Sequence, residues 1–177
     1  MKTEFLTTPA SKMYPQTVVV MTIHAPAKEA FEYFAPIYLP RIFPGTSLIP
    51  GIVDTSIKEG WNKAGLSRTV YFKDGTTSKE TLLTYTVPNS FSYKNEQFTS
   101  RMLGSLMTRL EGEWLFIDLK NGTTKIEWTY RTIPKGFFSR LFIKYVLINA
   151  IHDMLVKALT IAKRDLETGN RAGLDFK

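Results

Sequence analysis

An order of elements constrains this chain most: strand-like segments joined by tight turns, then one long apolar helix. The helical stretch covers residues 137–166 and contains YVLINAIHDMLVKAL. Ahead of it, residues 66–72 and 78–85 flank Asp74-Gly75, and residues 109–119 and 123–133 flank Asn121-Gly122. Asp-Gly and Asn-Gly between β-rich runs signal hairpins, because these residues tolerate the left-handed conformations such turns need. Hairpins make antiparallel pairs, so a sheet of βαβ units is excluded.

The rest of the chain fits one α+β domain. Residues 17–24, TVVVMTIH, read as a strand rich in β-branched side chains. Pro26 suits the first turn of a helix, and residues 28–34 read as a short amphipathic one that Pro36 ends. Residues 37–43 form a second short helix closed by Pro44-Gly45. Residues 46–64 are a poorly periodic strand or loop, 91–98 a strand, and 99–108 a loop or ragged strand. The expected organisation is a flexible arm at 1–16, a single domain at 17–168 and a tail at 169–177.

Composition limits the function classes. Twelve Phe, eight Tyr and three Trp in 177 residues are many, and aromatics line apolar cavities as well as fill cores. The absence of Cys excludes disulfides and thiolate metal sites. The first residues lack the apolar core of a signal peptide, so the expected location is cytoplasmic. No uncharged apolar run approaches the roughly 20 residues of a membrane span. Net charge is +7, with Lys and Arg scattered and no nucleic-acid motif. Plain solubility is one reading of that charge and peripheral contact with an acidic membrane surface another; nucleic acid is not an expected partner. Dinucleotide, Walker and His-Glu-x-x-His patterns are absent, so no cofactor and no metal are expected.

Three stretches carry a family resemblance: VVVMTIHAPAKEAFEYF, AGLSRTVYFKDGTTSKETLLTY and TRLEGEWLFIDLKNGTTKIEWTYRTIPKG. In this order they resemble the START-like, or Bet v 1-like, superfamily, and within it the polyketide cyclase/dehydrase and lipid-transport group. The resemblance covers residues 17–166. It implies a helix-grip fold: a curled antiparallel sheet wrapped around the long C-terminal helix, with two short helices after the first strand and a cavity between sheet and helix. The implied partner is a small hydrophobic ligand such as a lipid, an isoprenoid or an aromatic polyketide. The superfamily includes carriers, receptors, aromatase/cyclases and oxygenase subunits, so fold alone leaves function open. The iron and Rieske ligands of the oxygenases are missing here.

Strand alternation nominates the residues facing such a cavity. Ile126, Trp128 and Tyr130 share one face of the last strand, matched by Leu110, Trp114 and Phe116 on the strand before it. In the first hairpin, Leu66, Arg68, Val70 and Phe72 match Glu80, Leu82 and Thr84; Phe91, Tyr93 and Asn95 follow. Arg68 and Glu80 are charges on a largely apolar face, so they need each other or a ligand. On the helix, Tyr145, Asn149, His152, Val156 and Leu159 recur at steps of four and three. That spacing places Asn149 and His152 under the sheet, while Leu147, Ala150, Ile151 and Met154 face away, toward a dimer partner, a membrane or the N-terminal arm. Trp61 either covers the cavity mouth or packs at an edge, and His24 is structural.

The candidate ligand-binding set is therefore Arg68, Phe72, Glu80, Tyr93, Trp114, Trp128, Tyr130, Tyr145, Asn149 and His152. His152, Glu80 and Arg68 are the candidates for moving protons or stabilising an enolate. Three functions are compatible with this set: ligand binding or transport, a cyclase/dehydratase-type enzyme, and a protein-interaction module. A monomer or a homodimer is expected.

Overall fold

The computed structural model describes residues 14–169. Most of the expected arm, and the tail beyond residue 169, lie outside the described residues. Seven strands form one antiparallel sheet: β1 (Gln16–Ile23), β2 (Ile52–Thr55), β3 (Ser67–Phe72), β4 (Thr77–Thr86), β5 (Ser90–Glu96), β6 (Met107–Asp118) and β7 (Thr124–Pro134). Their spatial order is β1-β7-β6-β5-β4-β3-β2. Sequence neighbours from β2 to β7 pair as a meander, and β1 closes on β7 with Val19 opposite Trp128. The helices are α1 (Ala27–Phe34), α2 (Leu39–Ile42), α3 (Arg101–Leu106), α4 (Phe137–Phe142) and α5 (Ile148–Glu167), the last two joined by a π-helical turn at Ile143–Leu147. This is the α+β helix-grip architecture the sequence implies.

Local chemistry explains the joints. At the β3–β4 hairpin, Gly75 has φ +82°, a conformation that costs glycine little. Asp74 accepts from the Thr76 backbone N–H at 3.0 Å and from its hydroxyl at 2.7 Å, which fixes the turn. The register of β4 against β5 shifts between Leu82 and Thr84. This bulge turns Thr84 outward and brings Tyr85 in against Phe31, with ring centroids 5.1 Å apart. Thr84 therefore leaves the inner face that strict alternation assigns to it.

Residues 99–108 differ from the expected loop or strand. Ser100 accepts from the Leu103 N–H at 3.4 Å and caps α3, a serine signal legible in principle from SRML. Strand β6 begins directly after it.

The long helix is rotated from its expected setting. Ile143, Leu147, Ile151, Leu155, Ala158, Leu159 and Ala162 are buried against the sheet, an i, i+4 stripe wider than the one through Asn149 and His152. Leu147, Ile151 and Met154 thus face inward. Tyr145 is 65% exposed, Asn149 is exposed and His152 is half-buried. Burial follows the larger apolar moment, and the polar pair falls on the margin. The 31 residues Phe137–Glu167 are long and apolar enough to cross a membrane by length and composition, but this buried stripe forms one wall of the core.

Candidate functional site

The sheet curls over α5, and α1, α2 and the segment up to β2 cover the front. Between them lies a cavity of about 90 Å³. Its back wall is aromatic. Trp114 stacks on Trp128 with centroids 4.0 Å apart, and Phe91 stacks on Trp114 at 5.5 Å. The floor is Ile151 and Met154 of α5; Leu103 and Met107 close one end. The front is apolar: Phe34, Ile37, Leu39, Ile42, Phe43 and Ile49.

Gly112 makes the back wall possible. A Cβ there would lie 2.4 Å from the Tyr93 ring carbon that bears the hydroxyl, so only glycine lets Tyr93 lie flat across β6. The Tyr93 hydroxyl then donates to the Tyr130 hydroxyl at 3.0 Å and accepts from Trp128 Nε1 at 3.2 Å. Burial pushes both phenols up, above the ordinary tyrosine range, and nearby Glu80 adds to the shift. Both therefore stay neutral.

The charged pole is on β3 and β4. Arg68 stands opposite Glu80, and Glu80 opposite Asn95, in one row across three strands. Arg68 Nε donates to Glu80 Oε2 at 2.5 Å, and both residues are buried. The Arg68 guanidinium lies 4.2 Å from the centroid of the Trp61 ring, which is itself buried. A planar guanidinium stacks on an indole at little desolvation cost. Beside the pair, Asn95 Oδ1 and Ser78 Oγ are buried without a hydrogen-bond partner among the described residues. Such atoms are costly to leave unsatisfied, and Asn95 is part of the cavity lining.

Arg68, Phe72, Glu80, Tyr93, Trp114, Trp128 and Tyr130 all line this one space. Tyr145, Asn149 and His152 do not. His152 Nδ1 shares a hydrogen bond of 2.8 Å with Thr17 Oγ1, at the seam between α5 and β1. His24 pairs with Glu167 at 3.0 Å near the far end of α5. Alternation places Asn95 on the cavity-facing side and Trp61 is one reading of the mouth, and both line the space, as do Leu103 and Met154, which the sequence does not nominate. The signal for Trp61 was its place in KEGWNKAG, close before a strand carrying a buried Arg. For Met154 it was the broad apolar stripe of the helix. Among the described residues, no group of three His, Cys, Asp or Glu could hold a metal ion.

Residues 15–167 match the family described as polyketide cyclase / dehydrase and lipid transport. The chain belongs to this family. Membership suggests a role in binding or transporting a hydrophobic ligand. Among solved structures, the chain is similar to the Zhui aromatase/cyclase from a Streptomyces species, with 16% identity, a TM-score of 0.65, and 89% of this chain and 96% of that one covered. It is similar to ginseng major latex-like protein 151 from Panax ginseng (16% identity, TM-score 0.62, 84% and 95% covered). Protein XoxI from Bacillus cereus is also similar (15% identity, TM-score 0.61, 89% and 99% covered). At these identities the likeness is one of fold. No curated protein matches the chain.

Proposed function

We propose that this protein binds or carries a small, mainly apolar molecule with one polar end, seated in the cavity between the sheet and α5. The observation that carries the reading is an apolar, aromatic space with a single charged pole, where Arg68, Glu80 and the unpartnered Asn95 Oδ1 meet. Apolar walls supply affinity, and a few convergent polar groups fix orientation. A ligand hydroxyl or amine donating to Asn95 Oδ1, or an oxygen accepting from Arg68, would satisfy groups that are costly to leave alone.

Binding ranks above catalysis because proton-moving groups are scarce in this space. Of the titratable lining residues, Glu80 and Arg68 hold each other and the two tyrosines are held neutral. His152, the group best suited to acid-base work near pH 7, bonds Thr17 outside the lining.

Size sets a further condition. The cavity, about 90 Å³, is smaller than the roughly 150 Å³ engineered cavity that takes benzene. Any ligand larger than benzene, naphthalene-sized or lipid-sized, therefore requires the front to move. That front is built from α2 and loops, tied to α5 by Arg41 Nε donating to Asp165 Oδ2 at 2.7 Å.

Native mass spectrometry of gently purified protein tests the reading. A retained species of lipid-like or aromatic mass, lost on mild denaturation, is expected. A clean unliganded mass that stays unliganded after incubation with lipid and aromatic mixtures would contradict it.

A further inference from the structure

The α4 end of the long helix is exposed where α5 is buried. Phe137 is 62% exposed, Phe138 83%, Phe142 41%, Tyr145 65% and Val146 42%. Phe138, Phe142 and Tyr145 recur at steps of four and three, so they share a helix face. No residue of α4 is buried. Contiguous apolar exposure of this kind marks an interaction surface.

Charge identifies the partner. The chain has no Asp or Glu between Glu127 and Asp153, a stretch that carries Lys135, Arg140 and Lys144 beside the exposed rings; Arg131, at its start, pairs with Glu111. The segment between Glu96 and Glu111 also lacks acids and carries Arg101, while its Arg109 pairs with Glu111; it contains α3, which packs beside α4. Two cations lie over exposed rings: Arg140 6.0 Å from the Phe137 centroid and Lys144 5.0 Å from that of Tyr145. Aromatic side chains interleaved with Lys135, Arg140 and Lys144, along a stretch of sequence without acids, match the headgroup layer of an anionic bilayer. Rings enter the acyl boundary there, while the cations meet lipid phosphates. A second copy of the chain would bring the same positive surface against itself, which charge disfavours.

We infer that α4 and the π-helical turn form a docking face for an anionic phospholipid surface, inserted by Phe137, Phe138, Phe142 and Tyr145 and held by Lys135, Arg140 and Lys144. The face adjoins α3, whose Leu103 lines the cavity. The inference holds whether or not the cavity takes a ligand.

The test is co-sedimentation of the full chain with phosphatidylcholine vesicles, with and without phosphatidylglycerol. Binding to the anionic vesicles only, weakened by added salt, is expected. Phe138→Ser/Phe142→Ser should lower vesicle affinity at least about tenfold. Lys144→Ala should lower it about fivefold, from roughly 1 kcal/mol per cation near such a surface. Val18→Ser, on the outer face of β1, should change nothing. Phe138→Trp should keep binding, with tryptophan emission shifting blue on anionic vesicles, and circular dichroism should show each variant folded. Three results would each overturn the inference: no binding to either vesicle, binding indifferent to the paired Phe substitutions, or self-association abolished by those substitutions without vesicle binding. The last would assign the face to a second copy of this chain.

Discussion

The two walls of the cavity solve the burial of polar groups in different ways. On the β3–β4 side, Arg68 and Glu80 are kept as a bonded pair under the Trp61 ring, with Asn95 Oδ1 left over. On the β6–β7 side, Tyr93, Tyr130 and Trp128 share neutral hydrogen bonds, and burial holds the phenols protonated. The neutral wall satisfies itself and can be judged by packing. The charged wall keeps unspent hydrogen-bonding capacity, so an incoming polar end is worth more there. The difference gives the cavity a direction.

The largest effect should come from splitting the charged wall. Arg68→Met strands Glu80 as an unpaired buried charge and should cost about 3–5 kcal/mol in urea unfolding. Arg68→Met/Glu80→Leu should recover most of that loss, because no lone charge remains. A double variant no more stable than the single would mean that the pair is not what stabilises this wall.

On the neutral wall, Gly112→Ala should cost about 1–3 kcal/mol, the usual range for forcing atoms into a packed site, because its Cβ meets the Tyr93 ring. Pairing it with Tyr93→Ala should relieve the clash. If the losses simply added, the flat seating of Tyr93 on Gly112 would be wrong.

The outer face of the sheet supplies a pH contrast. Burial raises Glu113 from 4.5 to about 7, Glu127 adds to the shift, and Arg131 opposes it. The folded state therefore holds this proton more tightly than the unfolded chain, and stability should fall as pH rises from about 4.5 to 7. Glu113→Gln should remove that slope and raise stability at pH 7 by about 2 kcal/mol, with no gain at pH 4. Thermal midpoints across this range check it, and unchanged curves would contradict it.

The smallest effect should be at the helix margin. His152→Ala loses the bond to Thr17 and should cost about 1 kcal/mol, with no change in ligand retention. A large loss of retention would bring His152 back into the site.

Legibility in the sequence followed the strength of the local pattern. The hairpins were readable because Asp74-Gly75 and Asn121-Gly122 interrupt runs with a two-residue period. The inward set on β3, β5, β6 and β7 follows from that period alone. Alternation failed at Thr84, where a bulge adds one residue, and no residue type in LLTY announces it. The helix setting failed because steps of four and three fit two overlapping stripes. The polar stripe drew attention to Asn149 and His152, whereas the apolar one, through Ile143, Leu147, Ile151 and Leu155, decided the burial. The front of the cavity was least readable, since Ile37, Ile42 and Ile49 lie in short helices and loops with no period.

The direction of the cavity is tested most directly by calorimetric titration with 2-naphthol and naphthalene, a pair differing by one hydroxyl. Wild-type protein should favour 2-naphthol by about tenfold, the worth of one satisfied buried hydrogen bond. The Arg68→Met/Glu80→Leu/Asn95→Leu variant, which also removes the unpartnered Asn95 Oδ1, should bind both about equally, and Tyr93→Phe should keep the preference. Equal binding of the two compounds by wild type, or a preference that survives in the triple variant and disappears with Tyr93→Phe, would contradict a ligand oriented by the charged wall.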